Sequence, residues 1–288
     1  MTAAVPGTPS PPPPPPGGTP PGAPGPTPPP AGAGHSPATG QGAPNPFLAI
    51  VGYTLRACLP AKRWWGVALP CLGALGFGWL ATLDDTSSIQ RSFAVVAEQG
   101  LFGLVLPLTC LVLGDAVMGA DIRAGTFALT WLSPVRFRTI VVGRWLGAWL
   151  VALVTLVPAM VLATVAAGLP DGAAPMALAT ITGSAAYLGL FVMIGVLVRR
   201  SAVWSLAVVF LVERLLGGAV SGIAQISPMW EAQQVYAGLA GDAGGDRLLR
   251  DGTPDGWAAV VRLALILAVT LALASWRIAR VRPVGGDS

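Results

Sequence analysis

The chain has 288 residues, of which 53% are hydrophobic and only 10% are charged, and its mean hydropathy is +0.68. Soluble domains carry about 25% charged residues, so this composition excludes a water-soluble globular protein and predicts a surface that faces lipid. The net charge of +4 does not indicate nucleic-acid binding, because the basic residues form short clusters beside apolar runs instead of one patch.

Residues 1–46 form a proline-rich segment that is expected to be a disordered, cytoplasmic tail. It contains 18 of the chain's 28 prolines and neither Lys nor Arg. Such a composition offers no apolar surface to bury and favours extended, solvated backbone. The segment lacks the charged and apolar regions of a signal peptide. A flexible tail and a docking site for a proline-binding partner are both compatible with it.

Residues 47–63 form a short amphipathic stretch that cannot cross a bilayer. Its apolar residues recur at nearly helical spacing and are followed by Arg56, Lys62 and Arg63. We interpret the stretch as a helix that lies at the level of the lipid headgroups. An irregular linker is the alternative.

Six apolar runs follow, and each is long enough to cross a hydrocarbon core of roughly 30 Å, which takes about 20 helical residues. They are expected at about 64–83, 93–114, 145–167, 176–198, 202–224 and 257–276. The predicted fold is therefore an all-α polytopic membrane protein with six transmembrane helices over residues 64–282. Pro107 and Pro158 fall inside spans and are expected to kink them.

The distribution of basic residues predicts the orientation of the spans. Twelve of the 17 lie on one side of the predicted membrane, whereas only Arg91, Arg247 and Arg250 lie in the opposite loops. The twelve fall within 56–63, 123–144, 199–200 and 277–282. An excess of Lys and Arg marks cytoplasmic loops, so we expect a cell-membrane protein with both termini in the cytoplasm.

The residues needed for catalysis or metal binding are not found near the spans. The only histidine, His35, lies in the proline-rich tail. No Ser–His or Cys–His pair and no metal cluster can be predicted, and Cys58, Cys71 and Cys110 are expected to be packing residues. Lys62, the only lysine, lacks the glycines of a phosphate-binding loop. The chain is not expected to be an enzyme, and the energy for any pumping would come from a partner or from an ion gradient.

The cytoplasmic segment 115–144 between the second and third predicted spans carries the most informative motif. It combines an acidic residue, a basic residue, Gly-Thr, an apolar run, Ser-Pro and several arginines. The motif consists of Asp121, Arg123, Gly125, Thr126, Leu129, Leu132, Ser133, Pro134, Arg136, Arg138, Gly143 and Arg144. Because the residue before a proline disfavours helix, a short helix is expected to end near Ser133.

This motif resembles that of the type-2 ABC exporter permease family. Asp121 stands where Glu is common in the family and Arg144 where Lys is common, so both departures keep the charge. The resemblance implies that residues 121–132 form a coupling helix that docks on a separate ATP-binding subunit. Ser227-Pro228 gives a second, weaker resemblance in the expected outer loop, where a turn followed by a short surface helix is an equally good interpretation.

Three polar residues are predicted to lie inside the membrane. Glu213 and Arg214 fall near the middle of the fifth span, and Glu98 lies in the second at a depth that Arg214 could reach. They are interpreted either as a polar lining of a transport path or as a pair that fixes helix packing. Arg262, close to the outer end of the sixth span, is expected to extend towards the outer surface.

The resemblance implies a function as the permease subunit of an ATP-binding cassette exporter, with a second permease copy as its homodimer or heterodimer partner. It also implies an amphipathic or lipid-like substrate. Two alternatives come from other classes. One is a scaffold or regulatory anchor that moves no substrate and recruits partners through the tail. The other is an ion-coupled carrier with Glu98 or Glu213 as its proton site.

Overall fold

The computed structural model describes residues 45–58, 64–83, 88–119, 135–198, 200–216, 226–241 and 256–280. These residues all belong to one compact unit, 44–288, and their regular elements are all helices. Residues 1–44 of the predicted proline-rich tail and residues 120–134 of the expected coupling segment lie outside the described residues. The all-helical part of the fold prediction is confirmed for the described chain.

Eight helices are numbered here in chain order. They are α1 (Pro46–Cys58), α2 (Trp64–Leu80, extended by a tighter turn at Ala81–Leu83), α3 (Ile89–Met118), α4 (Phe137–Ala166), α5 (Ala173–Leu197, preceded by a tighter turn at Pro170–Gly172), α6 (Ser201–Ala207, continued by wider turns over Val208–Leu216), α7 (Pro228–Leu239) and α8 (Gly256–Arg280).

Four of these helices are long and apolar enough to cross a membrane. They are α3, α4, α8 and the helical stretch Pro170–Leu197 that contains α5. The helices found in the first and fifth predicted spans, α2 and α6, are shorter within the described residues. The structure therefore supports a protein with several membrane-length helices, whereas the count of six stays a prediction.

The proline inside α3 coincides with a change in helix geometry. The segment Ala97–Val105 forms wider turns, and normal α-helix resumes at Leu106. Pro107 has no backbone N–H and its ring crowds the carbonyl four residues earlier, which favours a local widening of the helix. At Pro158, by contrast, α4 continues as α-helix on both sides.

Helix α5 lies at the centre of the bundle and packs against α3, α4, α7 and α8. Two of its glycines permit close approach to neighbours. A Cβ atom at Gly183 would lie 2.9 Å from Cβ of Ala232 in α7, and one at Gly189 would lie 2.7 Å from Oγ1 of Thr270 in α8. Lipid tails are as apolar as the helix surfaces, so the hydrophobic effect does not drive helices together in a membrane. Close van der Waals packing therefore supplies much of the attraction between them.

Helix α1 packs along the first turns of α4. A Cβ atom at Gly147 would lie 2.7 Å from Cβ of Thr54, and one at Gly143 would lie 3.0 Å from Cγ2 of Ile50. Val51 and Thr54 are buried as a result. Most of the predicted amphipathic stretch therefore forms a helix, α1, and this helix packs against the bundle. Its position at the level of the headgroups stays a prediction.

Gly78 provides a test of the contact between α2 and α4. A Cβ atom there would lie 2.7 Å from Cα of Ala163, whereas one at Gly76 would meet no described atom within 4 Å. We expect Gly78→Ala to lower the free energy of unfolding by about 1–3 kcal/mol, because the two backbones must separate. Gly76→Ala, on the same helix, is the control and should not destabilise the protein. Thermal unfolding in detergent measures both, and equal stability of the two variants would contradict this packing.

Candidate functional site

Most residues of the predicted coupling contact lie outside the described residues. This holds for Asp121, Arg123, Gly125, Thr126, Leu129, Leu132 and Pro134. Arg136 and Arg138 are described, and both are exposed where α4 begins. The assignment of residues 121–132 as a coupling helix therefore stays a prediction.

The short helix α7 is an internal element of the bundle. Nine of its twelve residues are buried, and it packs against α5, α8 and the widened part of α3. Twelve residues span only about 18 Å, so α7 cannot cross a bilayer. The expectation of a surface helix after Ser227-Pro228 is wrong, because α7 is covered by longer helices on several sides.

Contacts with α5 show the level at which α7 lies. Ala232 lies beside Gly183, and a Cβ atom at Gly172, just before α5, would lie 2.9 Å from Oη of Tyr236. The N-terminal end of α7 lies near Tyr187, because Tyr187 and Ser227 both donate hydrogen bonds to Glu213. Tyr187 is 14 residues, or about 21 Å, from the start of α5. Helix α7 thus runs from the middle of the bundle to the end where α5 begins.

The N-terminus of α7 is capped by residues that suit that position. Ser227 has extended backbone and its Oγ accepts a hydrogen bond from the N–H of Trp230, at 3.5 Å. Pro228 occupies the first helical position, where its missing N–H costs no helical hydrogen bond. The Ser-Pro pair of the sequence is therefore a helix start in the interior of the bundle.

The carboxylate of Glu213 is placed at this helix start. Tyr187 donates its hydroxyl proton to Oε2 at 2.5 Å, and Ser227 donates to Oε1 at 2.8 Å. Glu213 is 6% exposed, and the positive end of the α7 dipole lies beside it. A buried carboxylate requires such partners, because its uncompensated burial is costly. The three side chains join α5, α6 and α7 at one point.

A second carboxylate, Glu231, lies one turn further along α7 and is fully buried. Its Oε1 lies 3.2 Å from Nη1 of Arg262 in α8. Its Oε2 has no hydrogen-bond partner among the described residues. The guanidinium of Arg262 is thus paired with Glu231, and its extension towards the outer surface stays a prediction.

Helix α7 also has polar and aromatic contacts with α3. Gln233 donates from Nε2 to the backbone carbonyl of Glu98 at 3.3 Å, within the widened turns. The ring of Tyr236 lies between those of Phe93 and Phe102, each with its centroid 6.2 Å away. Gln233 and Tyr236 are three residues apart, so one face of α7 is held against α3 by both a hydrogen bond and ring contacts. The predicted approach of Glu98 to Arg214 stays a prediction, since the Arg214 side chain lies outside the described residues.

At the opposite end of the bundle, Arg144 joins three helices. It is buried in the second turn of α4, and its Nη1 donates to the carbonyl of Val117 in the last described turn of α3, at 2.7 Å. Its guanidinium also lies 5.7 Å from the ring centroid of Tyr53 in α1. Nearby, Ser201 donates to Oδ1 of Asp115 at 2.9 Å and so joins α6 to α3.

The sequence did not identify Glu231, Gln233 and Tyr236 as parts of a site. Hydropathy placed them in an outer loop, because three polar side chains within a few residues lower the local average. The one available signal was the Ser-Pro helix start followed by a helix-length segment. Within the described residues, no group of three His, Cys, Asp or Glu side chains is placed to bind a metal ion.

Comparison with known proteins adds no relative. No protein-family model matches the chain, and no curated protein matches it. A function for this chain is supported by the geometry described above and by the resemblance of the motif in residues 115–144.

The hydroxyl of Tyr187 provides a test of the contact at the start of α7. We expect Tyr187→Phe to lower the free energy of unfolding by about 1.5–3 kcal/mol, because Glu213 loses a donor to a buried charged group. Tyr53→Phe is the control, since Tyr53 is 54% exposed and a phenylalanine ring keeps its contact with Arg144. Thermal and denaturant unfolding in detergent compare the two. Equal stability would mean that the hydroxyl–carboxylate bond does not hold α7 in place.

Proposed function

We propose that this chain is the permease subunit of an ATP-binding cassette exporter in the cell membrane. Its six spans form the translocation path, both termini lie in the cytoplasm, and a second permease copy and two separate ATP-binding subunits complete the transporter. ATP and Mg²⁺ are held by those ATP-binding subunits. The substrate class implied by the family resemblance is amphipathic or lipid-like.

The contact of Arg144 is the observation that carries this proposal. Residues 121–132, which resemble a coupling helix, lie between α3 and α4 in the sequence, and Arg144 bridges these two helices and α1. A displacement of the segment would therefore act on three helices at once. ATP-driven closure of the partner subunits could then favour one arrangement of the spans over another, because the two arrangements bind the partner differently.

The polar residues around α7 support a path through the bundle. Glu213, Glu231 and Gln233 put charged and amide groups among membrane-length helices, where such groups commonly mark transport pathways. Helix α7 starts inside the bundle, as do the discontinuous helices that bind substrates in many transporters. A small shift of α7 would rearrange the contacts of Glu213 and Glu231 together.

The exporter proposal predicts a specific partner and a specific loss of coupling. Full-length chain purified gently from its native membrane should carry a subunit that hydrolyses ATP. Asp121→Ala, Gly125→Pro and Arg144→Gln should each uncouple the reconstituted complex, so that its ATPase rate no longer differs from that of the isolated ATPase. Arg200→Gln, an exposed arginine in another loop, is the control and should leave coupling intact.

Two results would contradict the proposal. One is the absence of any ATP-hydrolysing subunit from material that is folded by its unfolding profile. The other is normal binding and normal coupling in both Asp121→Ala and Gly125→Pro, which would remove the role assigned to the segment.

A proton-coupled carrier is a second candidate, favoured by the burial of two carboxylates within the bundle. It requires no ATPase. Proteoliposomes that contain this chain alone, with a trapped pH-sensitive dye, should then acidify under an imposed pH gradient. Glu213→Gln should abolish the signal, and Asp171→Asn, which removes an exposed carboxylate at the turn before α5, should not. A signal that is the same in empty liposomes or in Glu213→Gln would exclude this candidate.

A further inference from the structure

A groove of about 770 Å³ lies between the start of α4 and the last turns of α8. Arg136 and Arg138 lie on the α4 side, and Leu271, Ser275 and Trp276 lie on the α8 side. The groove thus lies at the ends of two membrane-length helices, α4 and α8. The positive-inside rule predicts that the arginines at these ends lie on the cytoplasmic side. The groove therefore opens at the level expected for lipid headgroups.

The mouth of this groove is positively charged. Arg136 and Arg138 are exposed and make no ion pair with the described residues, and the described lining contains no carboxylate. Arg280 adds a third guanidinium, with Cζ 4.1 Å from the ring centroid of Trp276. The charges at this end are thus left without a described counter-ion, and an anion would compensate them.

The remainder of the groove and the adjoining surface of α8 are apolar. Val142 and Leu271 line the walls. From there an exposed stripe continues along α8 through Leu273, Val269 and Leu265, whose four-residue spacing keeps them on one face. A ligand that fits both parts has an anionic head and hydrocarbon chains.

We propose that this groove binds an anionic phospholipid of the surrounding bilayer. Its phosphate contacts Arg136 and Arg138, and one acyl chain lies along the Leu273–Val269–Leu265 stripe. Basic pockets between transmembrane helices on the cytoplasmic side are suited to anionic headgroups, and guanidinium groups bind phosphate oxygens in paired hydrogen bonds. The readout of the test is lipid binding, so its outcome is independent of the exporter proposal.

The test uses the full chain in detergent, titrated with phosphatidylglycerol or with phosphatidylcholine and followed by native mass spectrometry and thermal unfolding. We expect phosphatidylglycerol to bind more tightly and to raise the unfolding temperature. Arg136→Gln/Arg138→Gln should weaken its binding by about tenfold or more. Arg56→Gln/Arg200→Gln removes the same charge at sites outside the groove and should bind as the unchanged protein does.

A second variant keeps the charges and changes the wall. Ala272→Phe should fill part of the apolar groove and weaken phosphatidylglycerol binding while Arg136 and Arg138 remain. If Arg136→Gln/Arg138→Gln is unfolded in phosphatidylcholine, Ala272→Phe still tests whether the lipid binds in the groove.

Four results would overturn the proposal. Equal binding of the two lipids would remove the role of charge, and unchanged binding in both groove variants would place the lipid elsewhere. Equal stabilisation by inorganic phosphate would indicate a site for a free anion. A dimer that dissociates only in the groove variants would show that a second copy occupies the groove.

Discussion

The arrangement of this bundle depends on how polar groups are satisfied where a helix starts inside it. Helix α7 is too short to cross a membrane, so its N-terminal N–H groups cannot all reach water. Ser227 caps the helix, Pro228 removes one of the donors, and Glu213 places a carboxylate at the positive end of the dipole. Tyr187 donates a second hydrogen bond to that carboxylate, which lowers the free-energy cost of burying it. Loss of the Ser227 or the Tyr187 hydroxyl would remove a hydrogen bond to Glu213 in a low-dielectric interior.

The same requirement explains why α5 and α3 have the local features they show. An internal α7 needs space beside α5, and Gly183 permits Ala232 to approach closely enough. On the other side, the widened turns of α3 carry the Glu98 carbonyl that accepts from Gln233. A glycine in one neighbour and an irregular helix in the other would each weaken an isolated helix. Here, the glycine of α5 and the widened turns of α3 each allow the polar helix α7 to pack within an apolar bundle.

The long helices could be predicted from sequence because length and hydropathy are sufficient to define them. The runs predicted at 93–114 and 176–198 lie almost wholly within helices of the structure, Ile89–Met118 and Pro170–Leu197. Helix α4 begins at Phe137, eight residues before the predicted span, because an arginine-bearing segment lowers hydropathy without breaking a helix. The site around α7 could not be predicted in this way. Glu231 and Arg262 are satisfied by each other, and that depends on a packing between α7 and α8 which no local pattern contains.

The arginines at the start of α4 show the same limit in another form. By charge and position, Arg136, Arg138 and Arg144 all belong to one cluster that indicates a cytoplasmic loop. In the structure, Arg144 is buried and donates to a carbonyl of α3, whereas the other two are exposed beside a groove. The difference follows from helix geometry, because Arg138 and Arg144 are six residues and therefore about 120° apart around α4, and Arg136 precedes the first helical residue. A buried guanidinium holds helices in fixed positions, and an exposed one is available to a ligand. The positions of Lys and Arg along the chain predict its orientation in a membrane, whereas burial distinguishes these two roles.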